Sequence, residues 1–391
     1  MRQLHDPPLY VNHARISPAP PSVVTAIEDQ LRRESIRGWS RDEEQAVVVD
    51  VRSVLAELIG AEAEEIALVQ SATWAFNLLV NGLRWRPDDN VVVTDLLYRS
   101  IAHVLLRLRD EQQVSLRVVA SEGLRFDPDS VASCVDEHTR LVVVPILPLF
   151  CGVPQPVAAL RALFRSSDTF LVLNATQAAG QLPIDVRALG CDFLFGTSRK
   201  WLRGPRGLGF LYIRRSLIPT LRPSFVGYPA ASWLADDHVR FADNIDRFRV
   251  GDYPYALLCG LAAAVRLAIA TGIEQIASRN AYLGSLCRDR LASVGGVTVH
   301  DAREGVTGTV PITIAGLDAD AVVHQLADHG VLTCALYEED ARLAFRKLGV
   351  PSLVRISLHH VNTVEDVERL SQTIEQIARC PVGSSLPERA S

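Results

Sequence analysis

Lysine is almost missing from this 391-residue chain: of its 40 lysines and arginines, only Lys200 and Lys347 are lysines. Cations for solubility and ion pairing are written as arginine. A lysine therefore marks a place where an amine, which can lose its proton and act as a nucleophile, serves better than a guanidinium. Paired cysteines are missing too. The seven, at positions 134, 151, 191, 259, 287, 334 and 380, form no CxxC pair or other metal-ligand spacing. That excludes a metal site of ordinary spacing, and an odd count without a signal peptide reads as free thiols of a reducing cytoplasm. No apolar run reaches the ~18 to 20 residues of a membrane span: prolines break "LVVVPILPLF", and an arginine interrupts "ALLCGLAAAVRLAIA". Nor is there a strong charge of one sign. A net charge of -5, with 22% charged and 48% hydrophobic residues, describes a globular protein and speaks against nucleic acid as a partner.

What is present has the length of about two domains at roughly 100 to 200 residues each. Residues 1–20, proline-rich and aperiodic, read as an arm laid over a body. A helix starts near Pro21 and another covers 42–60. Then short β-branched runs alternate with helices: "IALVQ" (66–70), "NVVVTD" (90–95), "LRVVA" (116–120), "RLVVVPI" (140–146), "TFLVLNA" (169–175), "CDFLFG" (191–196) and "GLGFLYI" (207–213). Continuous apolar strands between helices predict an α/β large domain over 21–252, built on a mostly parallel seven-stranded sheet covered on both faces. From 253 the pattern changes to one long helix over 253–272 and then strands at "VTVHD", "TVPITIAG" and "LVRISL" interleaved with helices near 274–294, 318–329 and 363–379. This predicts a linking helix and a smaller α+β domain over 253–391.

Open parallel sheets bind ligands beyond the carboxyl ends of their strands, so the residues after each apolar run deserve inspection. After "IALVQ" comes "SATWAFN", where a helix opens with the backbone N–H groups of Ala72 and Thr73 free for an anion; a plain cap by Ser71 or Thr73 is the simpler reading. After "FLVL" come Asn174 and Gln177, which equally suit a hydrogen-bonded turn. After "CDFLFG" comes "TSRK", with Thr197 and Lys200. A lysine buried there among cations would hold a depressed pKa and could form an imine with a carbonyl cofactor. The scarcity of lysine elsewhere favours this over a solvated loop residue.

The stretch "NATQAAGQLPIDVRALGCDFLFGTSRKWLRGPRGLGFLYIRR" (174–215) resembles the signature of class V aminotransferase-fold enzymes, fold type I proteins that use pyridoxal 5'-phosphate (PLP). "YVNHARISPAP", "SATWAFN", "CGVPQPVAAL" and "RISLHHVNT" extend the resemblance in order over almost the whole chain. It implies that Lys200 carries the cofactor and moves the substrate's Cα proton. Thr73, with the amides around Ala72, and Thr197 match phosphate-binding positions. Gln177 matches the residue facing the phenolic oxygen of PLP, and Tyr98 the aromatic ring over the pyridine. Arg355 matches the arginine that grips an amino-acid carboxylate, for which a planar fork is suited. The resemblance further implies a homodimer with the site at the interface, and a pocket shaped by the arm around Asn12 and His13 and by segment 225–250.

Several positions depart from the family pattern. Asn174 stands where an aspartate usually keeps the pyridine nitrogen protonated, so the ring is expected to be a weaker electron sink, suited to a leaving group that departs early from Cβ. Arg199 replaces a histidine. Gly251 and Asp252 replace a "GT" whose threonine meets the neighbouring subunit's phosphate, and Leu149 is nonpolar where a polar contact to the cofactor is common. In "VLTCALYEEDARLAFRKLGVPSLVR", Cys334 falls about three places before the nucleophile position of cysteine desulfurases, and Tyr337 lies nearer to it. Within the family the motifs are most similar to the ergothioneine-pathway C–S lyase and to PLP enzymes of lincosamide biosynthesis, which act on S-substituted cysteine. The expected activity is a C–S β-lyase releasing a thiol, pyruvate and ammonia. The alternatives are oxygen-dependent decarboxylative deamination to an aldehyde; desulfuration, epimerisation or transamination; and a PLP-fold protein without catalysis.

Overall fold

The computed structural model describes residues 8–164 and 168–379. Its large sheet has seven strands: β2 (Ile66–Val69), β3 (Asn90–Thr94), β4 (Ser115–Val119), β5 (Thr139–Pro145), β6 (Phe170–Asn174), β7 (Phe193–Thr197) and β8 (Gly209–Ile213), following β1 (Leu9–Tyr10) of the arm. Their spatial order is β2-β8-β7-β6-β5-β3-β4. The β4–β3, β3–β5, β5–β6 and β6–β7 pairs are parallel, whereas β8 runs antiparallel to both β7 and β2. The sheet is thus mostly parallel with an antiparallel edge. Its runs are continuously apolar because both faces are covered. Leu68, Val92, Val142, Val144, Leu171 and Leu173 face one core with helices Arg41–Ile59 and Tyr255–Thr271. Their neighbours Val69, Val91, Val93, Val143 and Val172 face the other, with helices Ala72–Gly82 and Arg99–Gln112. Local chemistry sets the helix starts. Ser40 Oγ accepts from the backbone N–H of Glu43 while the Glu43 carboxylate accepts from that of Ser40, a reciprocal cap opening Arg41–Ile59.

A hairpin follows, β9 (Ala231–Ala235) with β10 (His238–Phe241), carrying exposed Trp233 and Val239. The second sheet contains β11 (Val297–Val299), β12 (Thr309–Ile314), β14 (Cys334–Tyr337) and β15 (Ser352–Ser357) in the antiparallel order β11-β12-β15-β14. The arm belongs to this unit: β1 pairs in parallel with β13 (Val331–Leu332), and Leu9 and Val11 are buried in its core. Among the described residues no single helix is long and apolar enough to cross a membrane.

Candidate active site

β5, β6 and β7 end side by side, Pro145 opposite Asn174 and Asn174 opposite Phe195. Their unpaired carboxyl ends open one crevice. The turn leaving β7 is held by Ser198 N–H to Leu208 O (3.1 Å) and Gly204 N–H to Ser198 O (3.0 Å), and it presents Arg199 and Lys200. Beneath it lies Gly180, with φ +92°, where an added Cβ would stand 2.7 Å from backbone atoms of Trp201 and Leu202. Only glycine lets the two turns pack so closely. Lys200 is buried, and its pKa is pushed well below 10.5, first by lost hydration and then by Arg355 and Arg199. Both effects favour the unprotonated amine, the form that can act as a nucleophile or a base.

Lys200, Tyr98 and Leu149 line two adjoining compartments. The narrow one is mostly apolar, walled by Leu96, Pro145 and Leu147, with Asn174, Thr176 and Gln177 supplying polar groups. The wide one, about 570 Å³, is lined by Arg15, Arg199, Cys334, Tyr337 and Arg355. In the narrow compartment, Asn174 Oδ1 accepts the backbone N–H of Thr176 (3.0 Å). A backbone N–H can only donate, so this fixes the amide's orientation and leaves the NH2 for the cavity. Gln177 is tied at both ends, Nε2 donating to Ala14 O (3.1 Å) and Oε1 accepting from Trp201 Nε1 (2.8 Å). Arg355 is almost wholly buried in β15, donating to Leu149 O (3.0 Å) and to Cys334 Sγ (3.4 Å), while its Nε–H has no partner. A buried guanidinium with unmet donors is a seat for a carboxylate.

Ala72 and Thr73 open the helix Ala72–Gly82, capped by Ser71 Oγ accepting from Trp74 N–H (3.1 Å). The simpler cap is therefore present, and it leaves the Ala72 and Thr73 amides in the helix's unpaired first turn. The Thr197 hydroxyl donates to Leu208 O (3.2 Å), so its proton is committed unless the side chain rotates. Asp252 is exposed beside Gly251.

Asn12 and His13 are not brought to the crevice. Asn12 bridges to Ser357 as the arm runs along the small sheet, and His13 is buried between Tyr10 and His359, its Nδ1 2.8 Å from Ser17 Oγ. Burial, Arg203 and His360 push the His13 pKa down to about 3. The next two residues, Ala14 and Arg15, line the wide compartment instead. Nor does this chain's own segment 225–250 line either compartment; the apolar Trp233, Leu234 and Val239 of its hairpin are exposed. Sequence reasoning missed Arg15, Thr176 and Trp201. Trp201, adjacent to Lys200 in "RKW", was the most legible of these, since a buried indole N–H needs an acceptor.

A buried lysine of depressed pKa at the ends of parallel strands, an apolar slot beside it with amide donors, and a buried arginine with an unmet donor fit PLP and an amino acid. With this sheet order and small domain, they define a fold type I PLP enzyme. Residues 9–370 match the family Aminotransferase class-V, and the chain belongs to it. Over 380 residues it is 28% identical to a probable cysteine desulfurase of Methanothermobacter thermautotrophicus, covering 95% of this chain and 94% of that one. A cysteine desulfurase of Pectobacterium atrosepticum is 27% identical over 384 residues, with the same coverages. Among solved structures, an apo cysteine desulfurase of Thermococcus onnurineus NA1 superposes with a TM-score of 0.89 at 24% identity, covering 95% of each chain. A cystine C–S lyase in complex with its product cysteine persulfide gives 0.86 at 22%, covering 94% of this chain and 97% of that one.

Proposed function

We propose that this enzyme is a C–S β-lyase that cleaves an S-substituted L-cysteine into a thiol, pyruvate and ammonia. The observation that carries the reading is Lys200, buried and with its pKa pushed down, shared by the slot suited to PLP and the compartment that holds Arg355. PLP, when bound, supplies a carbonyl that captures the substrate amine and a ring that accepts negative charge from Cα. Tyr98, Gln177 and the NH2 of Asn174 would hold its ring, and the amides around Ala72 and Thr73 its phosphate, with Thr197 beside them. Arg355 grips the carboxylate and so fixes which bond of Cα faces Lys200. Lys200 removes the Cα proton, and sulfur leaves Cβ as thiolate. Released 2-aminoacrylate hydrolyses to pyruvate and ammonia. Asn174, an amide that cannot protonate a ring nitrogen as an aspartate does, favours elimination over transamination, which needs a longer-lived carbanion.

The names of the relatives support cysteine-type substrates and C–S cleavage in general. The motif likeness to the ergothioneine-pathway and lincosamide enzymes supports a place in secondary metabolism, the unpaired cysteines support the cytoplasm, and the class V resemblance supports a homodimer, for which the exposed Phe225, Tyr228 and Trp233 suit a subunit interface. The test is incubation of the holoenzyme with S-alkyl-L-cysteines under air and under nitrogen. Pyruvate and thiol in equal amounts under both gases support the lyase. An aldehyde formed only under air establishes oxidative decarboxylation instead.

One observation favours a second reading, sulfur transfer to the protein: Cys334 Sγ lies in the wide compartment, 3.4 Å from Arg355 Nη2. Against it, Cys334 sits in a strand paired residue by residue with β15, opposite Arg355 itself, rather than on a loop that could carry a persulfide outward. A persulfide on Cys334 after incubation with L-cysteine, read by mass spectrometry, would favour this reading.

A further inference from the structure

We infer that the wide compartment receives a sulfur substituent bearing its own oxyanion, held by Arg15 and Arg199, an inference that rests on the C–S lyase reading above. The charges there do not balance internally. Arg99 is ion-paired with Glu339 (2.8 Å) and Asp340 (3.5 Å), and Asp320 accepts the Tyr337 hydroxyl (2.6 Å). Among the described residues no carboxylate lies within ion-pair distance of Arg15, Arg199 or Arg355. The substrate's α-carboxylate accounts for Arg355, leaving Arg15 and Arg199.

These two form one structure. The Arg199 guanidinium donates to the backbone carbonyl of Arg15, and Ser17 N–H donates to Arg199 O (2.8 Å), so the arm holds the pair together at the rim. Arg199 is half-buried, and lost hydration, Arg206 and Arg15 all push its pKa down. Arg15 itself is exposed, so solvent screens part of the repulsion between the two, and a ligand oxyanion bridging them removes what remains. Arg15 and Arg199 line the wide compartment, and the narrow one, with Asn174 and Gln177, contains neither. A cysteine held at Lys200 and Arg355 leaves most of about 570 Å³ for its substituent.

The test compares S-(2-carboxyethyl)-L-cysteine with its neutral isostere S-(2-carboxamidoethyl)-L-cysteine and with the S-(2-sulfoethyl) analogue, each titrated against the holoenzyme. Dissociation constants are read from the change in the cofactor's visible absorbance, which needs no turnover. The expected result is at least about tenfold tighter binding of the anions than of the amide, a ratio that shrinks at high salt. The carboxylate and sulfonate arms show which oxyanion the pair prefers. In Arg199→Gln and Arg15→Gln the ratio collapses toward one while the cofactor band persists. Equal affinities in the unmodified enzyme, no binding of any analogue, or loss of the cofactor band in Arg199→Gln would each overturn the inference. Pyruvate in the same samples reports on the lyase reading separately: tight anion binding without pyruvate sinks the lyase and leaves the oxyanion site standing.

Discussion

Asn174 and Thr176 are joined across one turn, the side-chain oxygen of the first accepting the backbone N–H of the second at 3.0 Å. The amide is thereby oriented, and what it offers the cavity is a donor. A ring nitrogen set against residue 174, as in class V enzymes, would accept from that donor and stay unprotonated. In Asn174→Asp one carboxylate oxygen can still take the Thr176 N–H while the other accepts from a protonated ring. With cofactor labelled at the ring nitrogen, the 15N resonance should lie in the unprotonated range for the natural protein and move to the protonated range in Asn174→Asp. Slow transamination should rise in the variant. Unchanged resonances would mean that residue 174 does not set the ring's charge.

Replacement of Lys200 by alanine should abolish the visible band of the holoenzyme and slow elimination by about 10²- to 10⁴-fold, the range for a lost general base. Because burial, Arg355 and Arg199 depress its pKa, the free amine should lose activity only on the acid side, with a limb in kcat well below pH 10.5. As pH falls through that limb Lys200 gains a proton and the rate drops. Removing one cation with Arg199→Gln should shift the limb upward in pH; a kcat profile that does not move would separate the limb from Lys200.

Arg355→Gln should raise KM for the amino-acid substrate roughly 10- to 100-fold, corresponding to a lost charge-assisted hydrogen bond of about 1.5 to 3 kcal/mol. Steady-state kinetics at fixed pH measure this. An unaltered KM would place the carboxylate elsewhere.

Arg288 and Asp301 form a buried two-point pair, Nε to Oδ1 at 2.9 Å and Nη2 to Oδ2 at 2.8 Å, and Asp301 also accepts Gly152 N–H at 2.7 Å. Arg288→Met leaves a buried carboxylate without its cation and should cost about 3 to 5 kcal/mol in urea unfolding. The double variant Arg288→Met/Asp301→Leu should recover part of that loss. A single variant as stable as the parent would show that the pair contributes little.

Gly180→Ala should push the backbone that carries Lys200, because the new Cβ meets Trp201 and Leu202 at 2.7 Å and φ is +92°. The expected outcome is weaker cofactor retention, measured as absorbance after dialysis, with a lower midpoint of thermal unfolding.

The strands of the large sheet were legible because each is a continuous apolar run, and Lys200 because lysine is so rare. β9 and β10 were not legible: their apolar residues Trp233 and Val239 point outward, so no buried run marks them. β14 was hidden because "CALY" alternates only over four residues. The antiparallel placement of β8 follows from its short connection to β7, too short for a crossover helix. At the site, Lys200 and Arg355 could be read from residue type and motif. Arg15 could not, because its place depends on the arm's long-range bridge to Ser357, which also draws Asn12 and His13 away from the crevice.

That bridge also sets an order of events during synthesis. Val11 O accepts both the backbone N–H and the hydroxyl of Ser357, and Ala14 accepts from Gln177 while its own N–H donates to Ser357 Oγ. The arm leaves the ribosome first, yet both of its strand partners, β13 (Val331–Leu332) and then Ser357, are made only with the small sheet. The wide compartment, walled by Ala14 and Arg15 of the arm and by Cys334 and Arg355 of the small sheet, is therefore complete only after the small sheet has been made.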